Sequence, residues 1–430
     1  LQKISLPPRY LYNLLLHLAL PLIALRLLWR VLRAAAYGKR IPERFALGLP
    51  KLKTDGIWLH AVSLGESIAA APLVEALLEH YPDLPITLTC MTPTGSKRIS
   101  EMFEGRVQHC YLPYDLPWAA RRFIRQLKPK LAILMETELW PNHIHQCARL
   151  NIPVVLANGR LSERSARGYA RLGGLTRSML GELSWLAVQS EVEAQRFVTL
   201  GARPERVSVT GSIKFDVTPP EGLAQRARLL RQEWQAENRP LWIAASTHAG
   251  EDEIVLAAHQ ALLKSRPDAL LILVPRHPER FASVYALCQK QGFNVKRRST
   301  GEAVDAPTQV LLGDTLGELF FLYALADFAL VGGSLVPHGG HNLLEPAALG
   351  KPLLSGPHLF NFADMAAQFQ QAAALTIVED SETLAATLAA LWDNPAQAQQ
   401  MQQGADMVLK ANQGALERLL AGLSPFLKET

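Results

Sequence analysis

The sequence is poor in cysteine and in charge. Its four cysteines, Cys90, Cys110, Cys147 and Cys288, show no CxxC spacing. Cys90 and Cys110 fall in apolar, strand-like runs, where a free thiol behaves as a small hydrophobe, as a reducing compartment allows. Charged residues make up only 19% of the 430 positions, and the net charge of +5 is mild. No RNA- or DNA-binding motif accompanies that charge, so nucleic acid is not an expected partner. Asp-x-Asp, the Walker loop, Gly-x-Ser-x-Gly and Gly-x-Gly-x-x-Gly are all missing, which removes the commonest phosphotransfer, hydrolase and dinucleotide readings. With 49% hydrophobic residues the chain is nonetheless an ordered, globular one.

A long apolar run is also lacking. Residues 14–25 are apolar apart from His17 but are interrupted by Pro21, short of the roughly 20 residues a spanning helix needs. Arg26, Arg30, Arg33, Lys39 and Arg40 follow, whereas a secretory signal carries its cations in front. Residues 1–35 read as a membrane-anchor helix that leaves the rest in the cytoplasm. A buried or docking helix is the plainer alternative.

A chain of this length exceeds the usual limit of one core, so two domains are expected. Short β-branched runs alternate with amphipathic helical patterns throughout. Strands are predicted near residues 56–62, 85–90, 107–112, 131–135, 153–157, 185–189 and 207–210. A second series falls near 241–245, 270–274, 309–312, 328–331 and 352–354. This alternation argues for α/β architecture, with parallel sheets covered by helices. The Pro-rich stretch 216–222 separates the two series and reads as a linker. The expected domains are therefore 36–216 and 217–430, with the last helix packing back on the first. Two such domains facing a cleft would present the loops at their strand ends.

Most of the candidate residues fall in those loops. Glu66, in Ser63-Leu64-Gly65-Glu66-Ser67, follows the first strand and is suited to take a proton from a hydroxyl. The plainer alternative is an acid that only complements a helix N-terminus. Glu136 and Glu138 follow an apolar strand, where two carboxylates are costly without a role or a structural partner. Lys214 precedes the linker, where its cation would face a phosphate or a developing negative charge. Arg276, in Pro275-Arg276-His277-Pro278, is a natural phosphate contact. The turn Leu316-Gly317-Glu318 offers backbone amides ahead of a helix. In Gly339-Gly340-His341-Asn342-Leu343-Leu344-Glu345, a helix from about 342 would set Asn342 and Glu345 on one face of its first turn. Glu345 would then suit a ribose. His338, His341 and Glu345 have ligand-like spacing, but nothing announces the supporting shell of a zinc site. Arg160, Arg164, Arg167 and Arg171 form one helical stripe, readable as a solvated face or as a contact for anionic lipid.

Taken in order, these motifs resemble the 3-deoxy-D-manno-octulosonic acid (Kdo) transferases of lipopolysaccharide assembly. The resemblance implies a GT-B fold, two Rossmann-like domains, and transfer of Kdo from CMP-Kdo to a lipid A precursor. It further implies work at the cytoplasmic face of the inner membrane, with no metal or other cofactor. Carried onto this chain, it makes Glu66 the general base and Glu136 and Lys214 the transition-state stabilisers. CMP would be held by Pro275, Arg276, Leu316, Gly317, Glu318, Asn342, Leu343, Leu344 and Glu345. A sugar-nucleotide epimerase of similar architecture is the competing reading, and a non-catalytic lipid-A-binding protein the third.

Overall fold

A computed structural model describes residues 8–428. The chain divides into two compact units: one runs to Asp216 and resumes at Gln413, and the other is Val217–Asn412. The second unit thus stops short of the chain end, and the last helix belongs to the first.

The first unit is built on seven parallel strands: β1 (Ile57–His60), β2 (Ile86–Cys90), β3 (Gln108–Tyr111), β4 (Leu131–Met135), β5 (Val154–Gly159), β6 (Trp185–Val188) and β7 (Val207–Val209). Their spatial order is β3-β2-β1-β4-β5-β6-β7. β1, β2, β4 and β5 are buried along their whole length, as expected of strands covered on both faces. The order reverses between β1 and β4, and such a switch point opens a crevice at the carboxyl ends of the strands.

The second unit repeats the plan with β8 (Leu241–Thr247), β9 (Leu270–Pro275), β10 (Val295–Arg297), β11 (Val310–Leu312), β12 (Phe328–Val331), β13 (Leu353–Ser355) and β14 (Leu375–Ile377). Their order is β10-β11-β9-β8-β12-β13-β14, with the switch between β8 and β12. The sequence pattern does not reveal β10 and β14. Each is a three-residue edge strand, and Lys296, Arg297 and Thr376 break the apolar run.

The helix Ala415–Leu427 packs Ala415, Leu419, Leu423 and Leu427 into the core that holds Leu73 and Leu77. Each buried leucine contributes about 2 kcal/mol. Its N-cap, Gly414, has no side chain to cap with. Asp216 supplies the missing acceptors, taking the N–H of Gly414 at 2.7 Å and of Leu416 at 2.6 Å.

The N-terminal segment is two helices, α1 (Pro8–Leu18) and α2 (Leu20–Arg33), bent by 50°. Pro21 sits in the first turn of α2, where its missing N–H costs nothing. Polar contacts fasten α1: Tyr12 donates to Asp115 at 2.9 Å, and Asn142 to Asn13 at 2.8 Å. Leu16 and Leu20 pack on the core, while Leu11, Leu14, Leu15, Leu22, Leu25, Trp29 and Leu32 stay exposed. No single helix among the described residues is long and apolar enough to cross a membrane; this bent pair meets the length and composition test together.

Candidate functional site

At the β1/β4 switch of the first unit, three segments bring their charges together. The helix α3 (Leu64–His80) starts at the end of β1, capped by Ser63. Glu66 is its third residue, and the Glu66 carboxylate accepts the Val62 N–H at 2.7 Å. That amide precedes the N-cap, so the bond ties Glu66 to the strand end, while its place in the first turn also complements the helix N-terminus. Burial pushes its pKa up to about 7; the Val62 amide, Lys214 and Ser63 oppose this, and Glu136 adds to it. At that value the group exchanges protons near neutrality, as a general base must.

Glu136 follows β4 in a left-handed backbone conformation, φ 53°. Its Oε1 receives Lys214 Nζ at 2.8 Å. Lys214 stands on the short turn Ile213–Phe215, which Asn158 positions by accepting the Ile213 N–H at 3.2 Å. Asn158 lies at a register shift of β5 and is itself left-handed, φ 53°. Strained, non-glycine residues at strand ends are typical of sites whose surroundings hold them in place. Glu138, noted in the sequence but given no role there, joins this group. Burial and the neighbouring Glu66 raise its pKa to about 7. Tyr169, whose hydroxyl donates to the Thr137 carbonyl at 3.2 Å, is a further neighbour that no sequence signal marked.

In the second unit the loops after β8, β9 and β12 meet at the β8/β12 switch. Pro275 ends β9 and is buried; Arg276 is exposed, its N–H bonded to the Thr247 carbonyl at 3.0 Å. Glu345 is half-buried, and its partial desolvation raises its pKa, against the Asn342 side chain and the Arg276 charge. Arg276, Asn342 and Glu345 are thus neighbours, and Leu343 and Leu344 are core residues behind them. Glycine at 332 is required by packing, because a Cβ there would come within 2.8 Å of the Ser246 carbonyl.

One expectation changes. The helix begins at Leu344 and ends at Ala348, so Asn342 precedes it and instead accepts the Leu344 N–H at 3.1 Å. A single helical turn has little macrodipole, and the cation near this segment is Arg276 rather than a helix end. Leu316 is 76% exposed, Gly317 is left-handed at φ 80°, and Glu318 is taken up by Arg298 at 2.9 Å and Thr315 at 2.6 Å. That leaves the Glu318 carboxylate engaged, with the backbone of 316–318 as the offered surface.

No sequence signal marks His248. Its ring stacks on His338 at 4.1 Å and on His341 at 5.1 Å, and its Nε2 lies 2.9 Å from His341 Nε2. One ring donates to the other. Burial lowers the pKa of both, His341 to about 4, so the pair is neutral at pH 7. His338 and His341 therefore face another histidine and not a shared ligand point with Glu345. Among the described residues no group of three or more His, Cys, Asp or Glu is arranged to hold a metal ion.

Two doubly wound units with polar loops at their switch points make a GT-B-like α/β fold. A putative UDP-N-acetylglucosamine 2-epimerase from Listeria monocytogenes superposes with a TM-score of 0.57 over 88% of this chain and 98% of its own. At 14% identity that likeness is one of fold alone. Residues 39–217 match the N-terminal family model of the 3-deoxy-D-manno-octulosonic-acid transferases. The 3-deoxy-D-manno-octulosonic acid transferase of Haemophilus influenzae is 44% identical over 98% of this chain and 99% of its own length. That of Bordetella pertussis is 39% identical, over 97% and 99%. The chain belongs to this family of glycosyltransferases.

Proposed function

We propose that the protein transfers Kdo from CMP-Kdo to a hydroxyl of a lipid A precursor, by direct displacement with inversion at the anomeric carbon. The acceptor oxygen forms the new bond to that carbon while the bond to the CMP phosphate breaks, and CMP leaves with the bonding pair. Glu66 takes the acceptor proton. Glu136 stabilises the positive charge building at the sugar, and Lys214 and Arg276 the negative charge on the phosphate. Because CMP is already a good leaving group, a base, fixed charges and orientation suffice. Pro275, Arg276, residues 316–318 and Asn342 to Glu345 hold the nucleotide.

One observation carries this reading: Glu66, with its pKa near 7, shares the β1/β4 switch point with the Glu136–Lys214 pair. Family membership supports the choice of sugar. The exposed leucines of α1 and α2 with Arg26, Arg30 and Arg33 support work at a membrane surface, the cytoplasmic face of the inner membrane. The test is incubation with CMP-Kdo and a tetraacyl lipid A precursor, with products weighed by mass spectrometry. Glu66→Gln is expected to abolish transfer while CMP still binds. Undiminished product from that variant would refute the base assignment.

A further inference from the structure

The loops of the second unit's switch point are tied together beneath the surface by two adjacent acids. Glu251 and Asp252 open the helix Glu251–Leu262 and are 0% and 1% exposed. They reach in different directions. Asp252 accepts from Thr247 Oγ1 at 2.6 Å and pairs with Arg280, which also donates to the Thr247 carbonyl at 2.8 Å. This fastens the loop after β9, the one that bears Arg276.

Glu251 is engaged by main-chain amides. Its Oε2 accepts from the N–H of His248 at 2.8 Å and of Gly333 at 2.7 Å. Its Oε1 accepts from the N–H of Ser334 and of Leu335, each at 2.8 Å. Four main-chain donors, three of them buried, are met by the four lone-pair sites of one carboxylate. Gly333 in turn accepts from the Gly340 N–H at 2.7 Å, next to His341. A single carboxylate therefore fixes the backbone on both sides of the His248–His341 contact.

We propose that Glu251 is a positioning residue for donor binding: its carboxylate sets the loop after β12 against the loop after β8, and so places His341, Asn342 and Glu345. The inference rests on the reading that Asn342 and Glu345 contact the CMP-linked donor. A carboxamide cannot replace it. Its single oxygen accepts two of the four N–H groups, and its NH2 would face the other two, leaving donor against donor in a buried place.

The test uses the full chain carrying Glu251→Gln. CMP affinity is read by calorimetry, and KM and kcat for CMP-Kdo by product formation. The expected result is CMP affinity at least tenfold weaker and a donor KM at least tenfold higher, with kcat changed by less than threefold. The acceptor KM stays as in the parent, and amide exchange quickens at Gly333, Ser334 and Leu335. Leu391→Ala, which opens the same unit's core elsewhere, serves as a control for loss of stability. An equal rise of donor KM in both variants would reduce Glu251 to a stabilising role and overturn the proposal. Parent-like CMP affinity in Glu251→Gln would overturn it also. A parent protein that does not bind CMP would instead overturn the donor reading, and this proposal with it.

Discussion

Lys214 Nζ lies 2.8 Å from Glu136 Oε1, which joins the turn after β7 to the end of β4 and sets a neutralised pair beside Glu66. The two partners act on Glu66 with opposite sign. Lys214→Met removes a cation, so Glu66 becomes harder to ionise and the acid limb of the pH–rate profile moves to higher pH. Glu136→Gln removes an anion, so that limb moves to lower pH. Both are expected to lower kcat by roughly 10²–10³-fold, the usual worth of one aligned electrostatic group. Limbs that move together, or not at all, would dissolve the coupling.

The Glu66 carboxyl itself sets a pH dependence in two readouts. As a base it acts when ionised, so kcat/KM falls about tenfold per unit below pH 7. For stability the folded pKa, about 7, lies above the ordinary carboxylate value of 4.5, so the folded state holds the proton more tightly. The ionised group therefore costs stability, a cost absent below pH 4.5, growing from there and complete above pH 7. Glu66→Gln is expected to be more stable than the parent at pH 8, by on the order of 2 kcal/mol, and to match the parent at pH 4.5. Equal stabilities at pH 8, measured by calorimetry, would contradict the raised pKa.

Both predictions depend on contacts that local pattern could not supply. Glu66 and Glu136 were marked by their place after apolar strands, since a post-strand acid is a local feature. That β1 lies next to β4, with β2 and β3 on the far side, follows from long-range strand pairing. Lys214 stood out only as a cation before a Pro-rich break. Its partner is 78 residues earlier in the chain.

Asp216 is expected to tether the last helix. Asp216→Ala removes both acceptors from the first turn of Ala415–Leu427, whose own N-cap is a glycine. A loss of about 1–3 kcal/mol should follow, with faster protease cleavage near residue 413. Asp216→Asn, which keeps one acceptor, should fall between. Unchanged cleavage in both variants would assign the helix's docking to Leu419, Leu423 and Leu427 alone.

The exposed face of α2 is expected to carry membrane association. The double variant Leu25→Asp, Trp29→Asp changes residues that are 62% and 51% exposed, so the fold should be untouched. Flotation with vesicles containing anionic lipid should drop at least tenfold, and added salt should weaken what remains, since Arg26, Arg30 and Arg33 flank the same face. Flotation equal to the parent's would refute the assignment.

What the sequence determined by itself was the series of buried strands, the turn residues after them and the two-fold division near residue 216. All three are written locally, in runs of apolar residues and in the punctuation of glycine and proline. Tertiary structure alone decided which loops became neighbours, because strand order is set by pairing between distant segments. It also decided what Glu251 and His248 do. In the sequence Glu251 is one of three acids opening a helix, a common N-terminal feature. Only the approach of the loop after β12 gives that carboxylate three buried amides to accept besides the local His248 N–H.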